Sequence, residues 1–107
     1  MYARVTTVEV PPDAVDAAVR QFEEVTLPQI QSFPGWEGAT MFVDRENGVV
    51  RTLAYFSGRE PLDSSRETAK RLRSDFVERA QSARLISVEE FEVALRAEPA
   101  KKVSAAA

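Results

Sequence analysis

Asn47-Gly48 stands between two runs of strand-forming residues, 36–44 (WEGATMFVD) and 49–57 (VVRTLAYFS), and this hairpin constrains the fold more than any other stretch of the chain. Both turn residues tolerate positive φ, which a tight strand reversal requires. A loop of two or four residues sorts the side chains identically, because strands alternate with a period of two. One face then carries Trp36, Thr40, Phe42, Asp44, Arg51, Leu53 and Tyr55, and the other Ala39, Met41, Val43, Val50, Thr52, Ala54 and Phe56. Both faces are apolar. An antiparallel sheet with a wet side shows polar residues there, so this hairpin has to be covered twice.

The rest of the chain supplies one cover. Residues 2–10 (YARVTTVEV) read as a first strand that stops at Pro11-Pro12. Asp13 occupies an N-cap position, and Val15, Ala18, Val19, Phe22 and Val25 follow at helical spacing. Pro28 lacks an amide hydrogen, which predicts a kink or a short restart through Ile30, and Pro34-Gly35 ends the segment. Ser64-x-x-Glu67 has the capping-box spacing for a second helix over 64–82. That helix would bury Ala69, Leu72, Phe76 and Ala80 and expose the pairs Glu67–Arg71 and Asp75–Arg79. Residues 84–95 (ARLISVEEFEVA) make a last strand, and residues 97–107 form an aperiodic, mobile tail.

The order βαββαβ predicts an α+β domain over residues 1–96 of the ferredoxin-like type. It has a four-stranded antiparallel sheet with two helices on one face. Two helices cover only one side. The uncovered side shows Trp36, Phe42, Leu53 and Tyr55, a patch that monomers rarely leave bare. A second copy of the chain is its expected cover, with loops and the tail as the alternative.

With 107 residues the chain is one domain, and a net charge of −3 gives no general attraction to nucleic acid. The basic positions Arg66, Lys70, Arg71 and Arg73 alternate with acids and lack aromatics for base stacking, so they read as a solvated helix face. The absence of cysteine removes disulfides, thiolate metal sites and thiol nucleophiles. The absence of histidine removes the commonest general base, metal ligand and haem ligand together. No metal site is expected. No leader pattern or membrane-length apolar run occurs, which predicts a cytoplasmic protein without a membrane partner.

The first strand, Leu27-Pro28 ahead of Pro34-Gly35-Trp36, the hairpin Val43-Asp44-Arg45-Glu46-Asn47-Gly48 and the closing Val88-Glu89-Glu90-Phe91-Glu92-Val93 together give the chain a family likeness. Over about residues 2–95 it resembles the antibiotic-biosynthesis-monooxygenase type of dimeric α/β barrel. The resemblance implies a homodimer joined sheet to sheet, with a pocket in each subunit between sheet and helices. It also implies, for some members, oxidation of a small aromatic or quinol by molecular oxygen with no cofactor. Haem-degrading members are similar to one another in a first-strand Asn, a Trp ending the third strand and a His on the second helix. Here those positions fall on Thr6 or Thr7, on Phe56, and on no histidine at all, so haem degradation is not expected.

The expected pocket lies between the helix-facing side of the hairpin and the helices, lined by Phe22, Met41, Thr52, Ala54, Phe56, Leu72 and Phe76. Small residues between large ones leave room for a flat aromatic ligand. A core filled by Phe22, Leu72 and Phe76 explains the same residues. Arg51 and Tyr55 share a face with Asp44 and could orient a phenol, or form an ion pair and a packed seam. Two of Glu89, Glu90 and Glu92 also share a face, as acid/base groups or as charges guarding an edge strand. The sequence names no catalytic residue. It leaves two functional classes open: a cofactor-independent monooxygenase and a non-catalytic dimeric module that binds a small ligand or serves a structural role.

Overall fold

The computed structural model describes residues 1–80 and 82–100. Four strands form one sheet: β1 (Tyr2–Glu9), β2 (Trp36–Asp44), β3 (Val49–Phe56) and β4 (Arg84–Glu92). Their spatial order is β2-β3-β1-β4, and every neighbouring pair is antiparallel. Between β1 and β2 run α1 (Val15–Gln21), a π-helical turn (Phe22–Thr26) and α2 (Leu27–Ile30). Between β3 and β4 run α3 (Arg59–Ser64) and α4 (Arg66–Arg79). This is the expected ferredoxin-like α+β arrangement, with the helices on one face. Most of the expected tail, residues 101–107, lies outside the described residues.

The core sits between β1, β3 and the helices, where Val8, Val10, Val15, Ala18, Val50 and Phe76 are buried together. The hairpin closes with Asp44 opposite Val49, a four-residue loop. Asp44 organises that loop, its carboxylate accepting from the Glu46 amide at 3.1 Å, the Asn47 amide at 3.2 Å and Asn47 Nδ2 at 2.8 Å. These bonds, Asn47's side chain foremost, hold the Asp44 carboxyl below its usual pKa. The carboxylate is thus spent on the turn, and among the described residues it forms no ion pair with Arg51.

The helix signals need correction. Asp13 caps nothing: it lies inside a 3-10 turn (Pro12–Ala14), and α1 starts after Ala14 without a side-chain cap. The Ser64–Glu67 capping box does not form either, because the chain is already helical from Arg59 and α4 starts after Ser65. Glu67–Arg71 and Asp75–Arg79 are not paired among the described residues. Such exposed pairs gain only a few tenths of a kcal/mol, too little to fix two long side chains. Pro28 acts through the turn before it. Its ring clashes with the carbonyl four residues back, and the helix widens there, the Leu27 amide donating to the Phe22 carbonyl five residues earlier. The wider turn carries Val25 off the buried stripe into solvent and brings Ile30 inward.

One strand residue changes sides. Trp36 pairs with Phe56 and Ala39 with Ala54, so a bulge at Glu37-Gly38 separates them. Gly38, at φ +120°, supplies a conformation other residues rarely adopt. Trp36 therefore faces the helices, and its expected place on the outer face was wrong by one inserted residue. The outer face keeps Phe42, Leu53 and Tyr55, and the strand register adds Val5 and Phe91 beside them. Phe42 is 56% exposed and Phe91 50%, while the Arg96 guanidinium lies 4.7 Å over the Tyr55 ring.

Gly48 joins the hairpin to the start of the first helical segment. It has φ +68°, its carbonyl accepts the Val10 amide at 2.8 Å, and an added Cβ would collide with the Val10 carbonyl. Gly48→Ala is expected to lower the unfolding free energy by about 3 kcal/mol, measured by urea denaturation, from backbone strain and overpacking together.

Candidate functional site

Between the sheet and the helices lies a cavity of about 90 Å³. Its floor is the helix-facing side of β1 and β3, with Arg4, Thr6 and Val8 from one and Val50, Thr52, Ala54 and Phe56 from the other. Met41 and the displaced Trp36 close it at β2. Its roof is Phe22, Thr26, Ile30 and Phe33 from the first helical stretch and Ala69, Leu72, Arg73 and Phe76 from α4. All seven residues expected around a pocket from the sequence are in this lining. Phe22, Leu72 and Phe76 do not fill the gap.

The polar groups of the lining are few: two arginines, the Trp36 indole and three threonine hydroxyls. Trp36 Nε1 is buried and has no hydrogen-bond partner among the described residues. A buried donor left in that state costs about 1–3 kcal/mol. Arg73 is partly buried and likewise makes no hydrogen bond or ion pair among the described residues. Burial, with the neighbouring Arg4 charge as the next cause, weakens its hold on its proton. The solvated-face reading of Arg66, Lys70, Arg71 and Arg73 is thus right for Lys70 and Arg71 and wrong for Arg73. The signal was available: Ala69, Leu72, Arg73 and Phe76 have the spacing of a single helix face.

Arg4 carries no local sequence signal, and it is the most constrained polar side chain here, only 4% exposed. Its Nη1 donates to Ser65 Oγ at 3.0 Å, its Nη2 to the Leu62 carbonyl at 3.0 Å and to Glu90 Oε2 at 3.0 Å, and its Nε to Glu90 Oε2 at 3.1 Å. It also lies 5.4 Å from the Phe56 ring centroid, a cation–π contact. Glu90 is shared, because Arg66 Nη2 reaches its Oε1 at 2.6 Å and Asp63 at 2.8 Å. Arg66, and then Arg4, hold the Glu90 carboxyl below its usual range against a desolvation that opposes them. Glu90 and Glu92 share the helix-facing side and Glu89 the other, but Glu90 is an ion-pair partner and none of the three is in the cavity lining, so the glutamates of β4 form no acid/base pair there. The outer-face residues Arg51 and Tyr55 are also absent from the cavity lining. No group of three or more Asp, Glu, His or Cys side chains that could hold a metal occurs among the described residues.

No family model matches the chain. Among curated proteins it is similar to two uncharacterized proteins of Mycobacterium tuberculosis. It is 32% identical over 92 residues to Rv2557, matching 86% of this chain, and 34% identical over 98 residues to Rv2558, matching 89% of it. The chain spans about two fifths of the length of these relatives, 41% and 39%.

Among solved structures, the heme-degrader MhuD of M. tuberculosis superposes with a TM-score of 0.70 at 18% identity, over 92% of this chain and 100% of MhuD. A monooxygenase from the gene ActVA-Orf6 of Streptomyces coelicolor, solved with nanaomycin D, gives 0.64 at 14% over 91% and 92%. A dimeric ferredoxin-like protein from an uncultured marine organism gives 0.67 at 12% over 90% and 97%. The chain therefore shares the ferredoxin-like fold of these solved structures.

Removing the Glu90 carboxylate strands a buried guanidinium. Glu90→Ala is expected to lower the unfolding free energy by about 2 kcal/mol in urea melts at neutral pH. The Glu90 carboxyl sits below its usual 4.5 in the folded state, so its contribution is present above about that pH. It is lost as the pH falls through the depressed folded value. The acid-induced decline in stability should be correspondingly shallower in Glu90→Ala.

Proposed function

We propose that this protein is a cofactor-independent monooxygenase that acts in the cytoplasm, as a homodimer, on a small ionisable aromatic such as a quinol or an anthrone. One observation carries the reading: the gap between sheet and helices is an open apolar cavity lined by Trp36, whose buried Nε1–H has no partner among the described residues. A filled core would have favoured a non-catalytic module. The fold it shares with a monooxygenase solved with nanaomycin D supports the same reading.

The chemistry asks little of the protein. An anthrone methylene and one O₂ give a carbonyl and one water, and the ionised substrate itself supplies the electrons. What the chain contributes is desolvation and orientation between flat apolar walls. The cavity lining includes no Asp, Glu or His to accept the substrate's proton. Substrate acidity therefore governs the rate. Haem does not fit this donor set: the chain has no His or Cys, no Tyr is in the lining, and Met41 is the one residue there that could reach iron.

Oxygen consumption is expected with quinols or anthrones without added metal, flavin or nicotinamide, rising with pH toward the substrate's own pKa. Phe56, 1% exposed and part of the cavity floor, is the residue whose loss should matter most to orientation. Phe56→Ala should lower kcat/KM about tenfold or more with assembly unchanged. Oxygen-electrode silence across a broad quinol panel would move the assignment to a ligand-binding module.

The second expectation concerns the outer face. Light scattering should give about twice 11.9 kDa. Phe42→Asp or Leu53→Asp should give monomer or precipitate, since an unpaired buried carboxylate costs several kcal/mol. A stable wild-type monomer at micromolar concentration would contradict dimerisation through this face.

A further inference from the structure

The ion pairs beside the cavity do not balance, and the imbalance sits where the lining is polar. Arg4, Arg59, Arg66 and Arg73 face two carboxylates, Glu90 and Asp63, in a chain whose net charge is −3. Arg4, Arg59 and Arg66 pair with those carboxylates; Arg73 pairs with none among the described residues. Trp36 Nε1–H is left over as well. The two belong to the same end of the cavity. Trp36 pairs across the sheet with Phe56, Arg4 packs over the Phe56 ring, and Arg73 lies within the field of Arg4. Val8 and Val50, toward the other end of the strands, are apolar.

Every side chain here with unused hydrogen-bonding capacity is a donor or a hydroxyl. A guanidinium and an indole N–H cannot accept a bond, and the threonines Thr6, Thr26 and Thr52 can do either. A ligand with a donor at this end would meet two more donors. A ligand with an acidic oxygen would satisfy both and neutralise the spare charge, in a cavity where weak solvation strengthens the attraction.

We infer that the cavity binds its aromatic ligand as an anion, with a carboxylate, phenolate or enolate oxygen held by the Arg73 guanidinium and the Trp36 indole N–H. This rests on the ligand-pocket reading above and adds the charge and orientation of what is bound. Arg73 is a specificity residue under this inference, and its requirement is for positive charge.

The chain has one tryptophan, Trp36, so its fluorescence reports directly on occupancy. The probes are naphthoate and its neutral isostere naphthamide, titrated into the full chain at constant ionic strength. The expected result is at least about tenfold tighter binding of naphthoate, the scale of one charge-assisted hydrogen bond. Arg73→Gln should reduce that preference to about twofold or less, and Arg73→Lys should restore part of it. Arg71→Gln, on the solvated side of α4, should leave the preference within about twofold of wild type. Trp36→Phe, followed by calorimetry, should weaken both probes and keep the preference, because both carry a carbonyl oxygen for the indole N–H.

Equal binding of the two probes to the wild-type protein would overturn the inference while leaving the pocket intact. An Arg71→Gln effect as large as that of Arg73→Gln would also overturn it, by showing that a general surface field is responsible. Failure of either probe to bind the wild-type chain with native circular dichroism would remove the pocket reading and the inference together. The wild-type comparison stands even if a variant misfolds.

Discussion

Arg4 puts a guanidinium in the middle of the sheet. Its side chain is almost wholly buried on β1, whose two neighbours are β3 and β4. A guanidinium keeps its proton at any accessible pH, so the fold has to bring acceptors to it or lose several kcal/mol to an unpaired buried charge. The acceptors come from Leu62, at the end of α3, from Ser65 between α3 and α4, and from Glu90 on β4. The same contacts explain how α4 begins. Ser65 Oγ accepts from Arg4 and donates to the Leu62 carbonyl at 2.8 Å, so its hydroxyl is committed before it can cap the next turn. With the start of α4 tied to β1, the face with Ala69, Leu72, Arg73 and Phe76 is held over the sheet.

Two irregularities then shape the space under that face. The π turn between α1 and α2 places Thr26 and Ile30 in the cavity lining, where a regular helix would have continued the stripe through Val25. The bulge at Glu37-Gly38 turns Trp36 toward the helices, where regular alternation would have sent it outward. Each inserts one residue into a repeating pattern, and each changes the wall of the same cavity. Regular periods close a core; these departures from them leave room and bring Trp36 to its wall, a common use of π turns and bulges.

The periods also decide what could be read from the sequence. The strands, their order and the faces of Met41, Thr52, Ala54 and Phe56 follow from a period of two that holds between the hairpin and the bulge. The faces of Leu72 and Phe76 follow from the helical period. Trp36 was misplaced because a bulge leaves no mark beyond a glycine, and Gly38 has other uses in a strand. Val25 was misplaced because Pro28 announces a disturbance and not which way the helix absorbs it. Asp13 and Ser64 have the chemistry of caps, but a 3-10 turn and an earlier helix start left them nothing to cap. Arg4 needs knowledge of register: only when β4 is aligned on β1 do Arg4 and Glu90 fall opposite each other, a pairing that cross-strand charge then rewards. Arg73 is legible on helical spacing, but its neighbours in sequence are solvated charges that mask it.

The polar groups of the cavity divide the work between protein and ligand. Arg4, Arg73 and Trp36 can only donate hydrogen bonds, and no carboxylate or imidazole in the lining can take a proton. Such a wall favours negative charge on what it encloses without creating that charge. A molecule that ionises easily arrives prepared, and desolvation then raises the value of every donor it meets. A molecule that needs a base gains nothing, whatever its shape. Under the proposed function, selection by acidity therefore precedes selection by fit. It follows from the same arrangement that buries Arg4, because pairing Arg4 with Glu90 leaves that carboxylate unable to act as the base the cavity lacks.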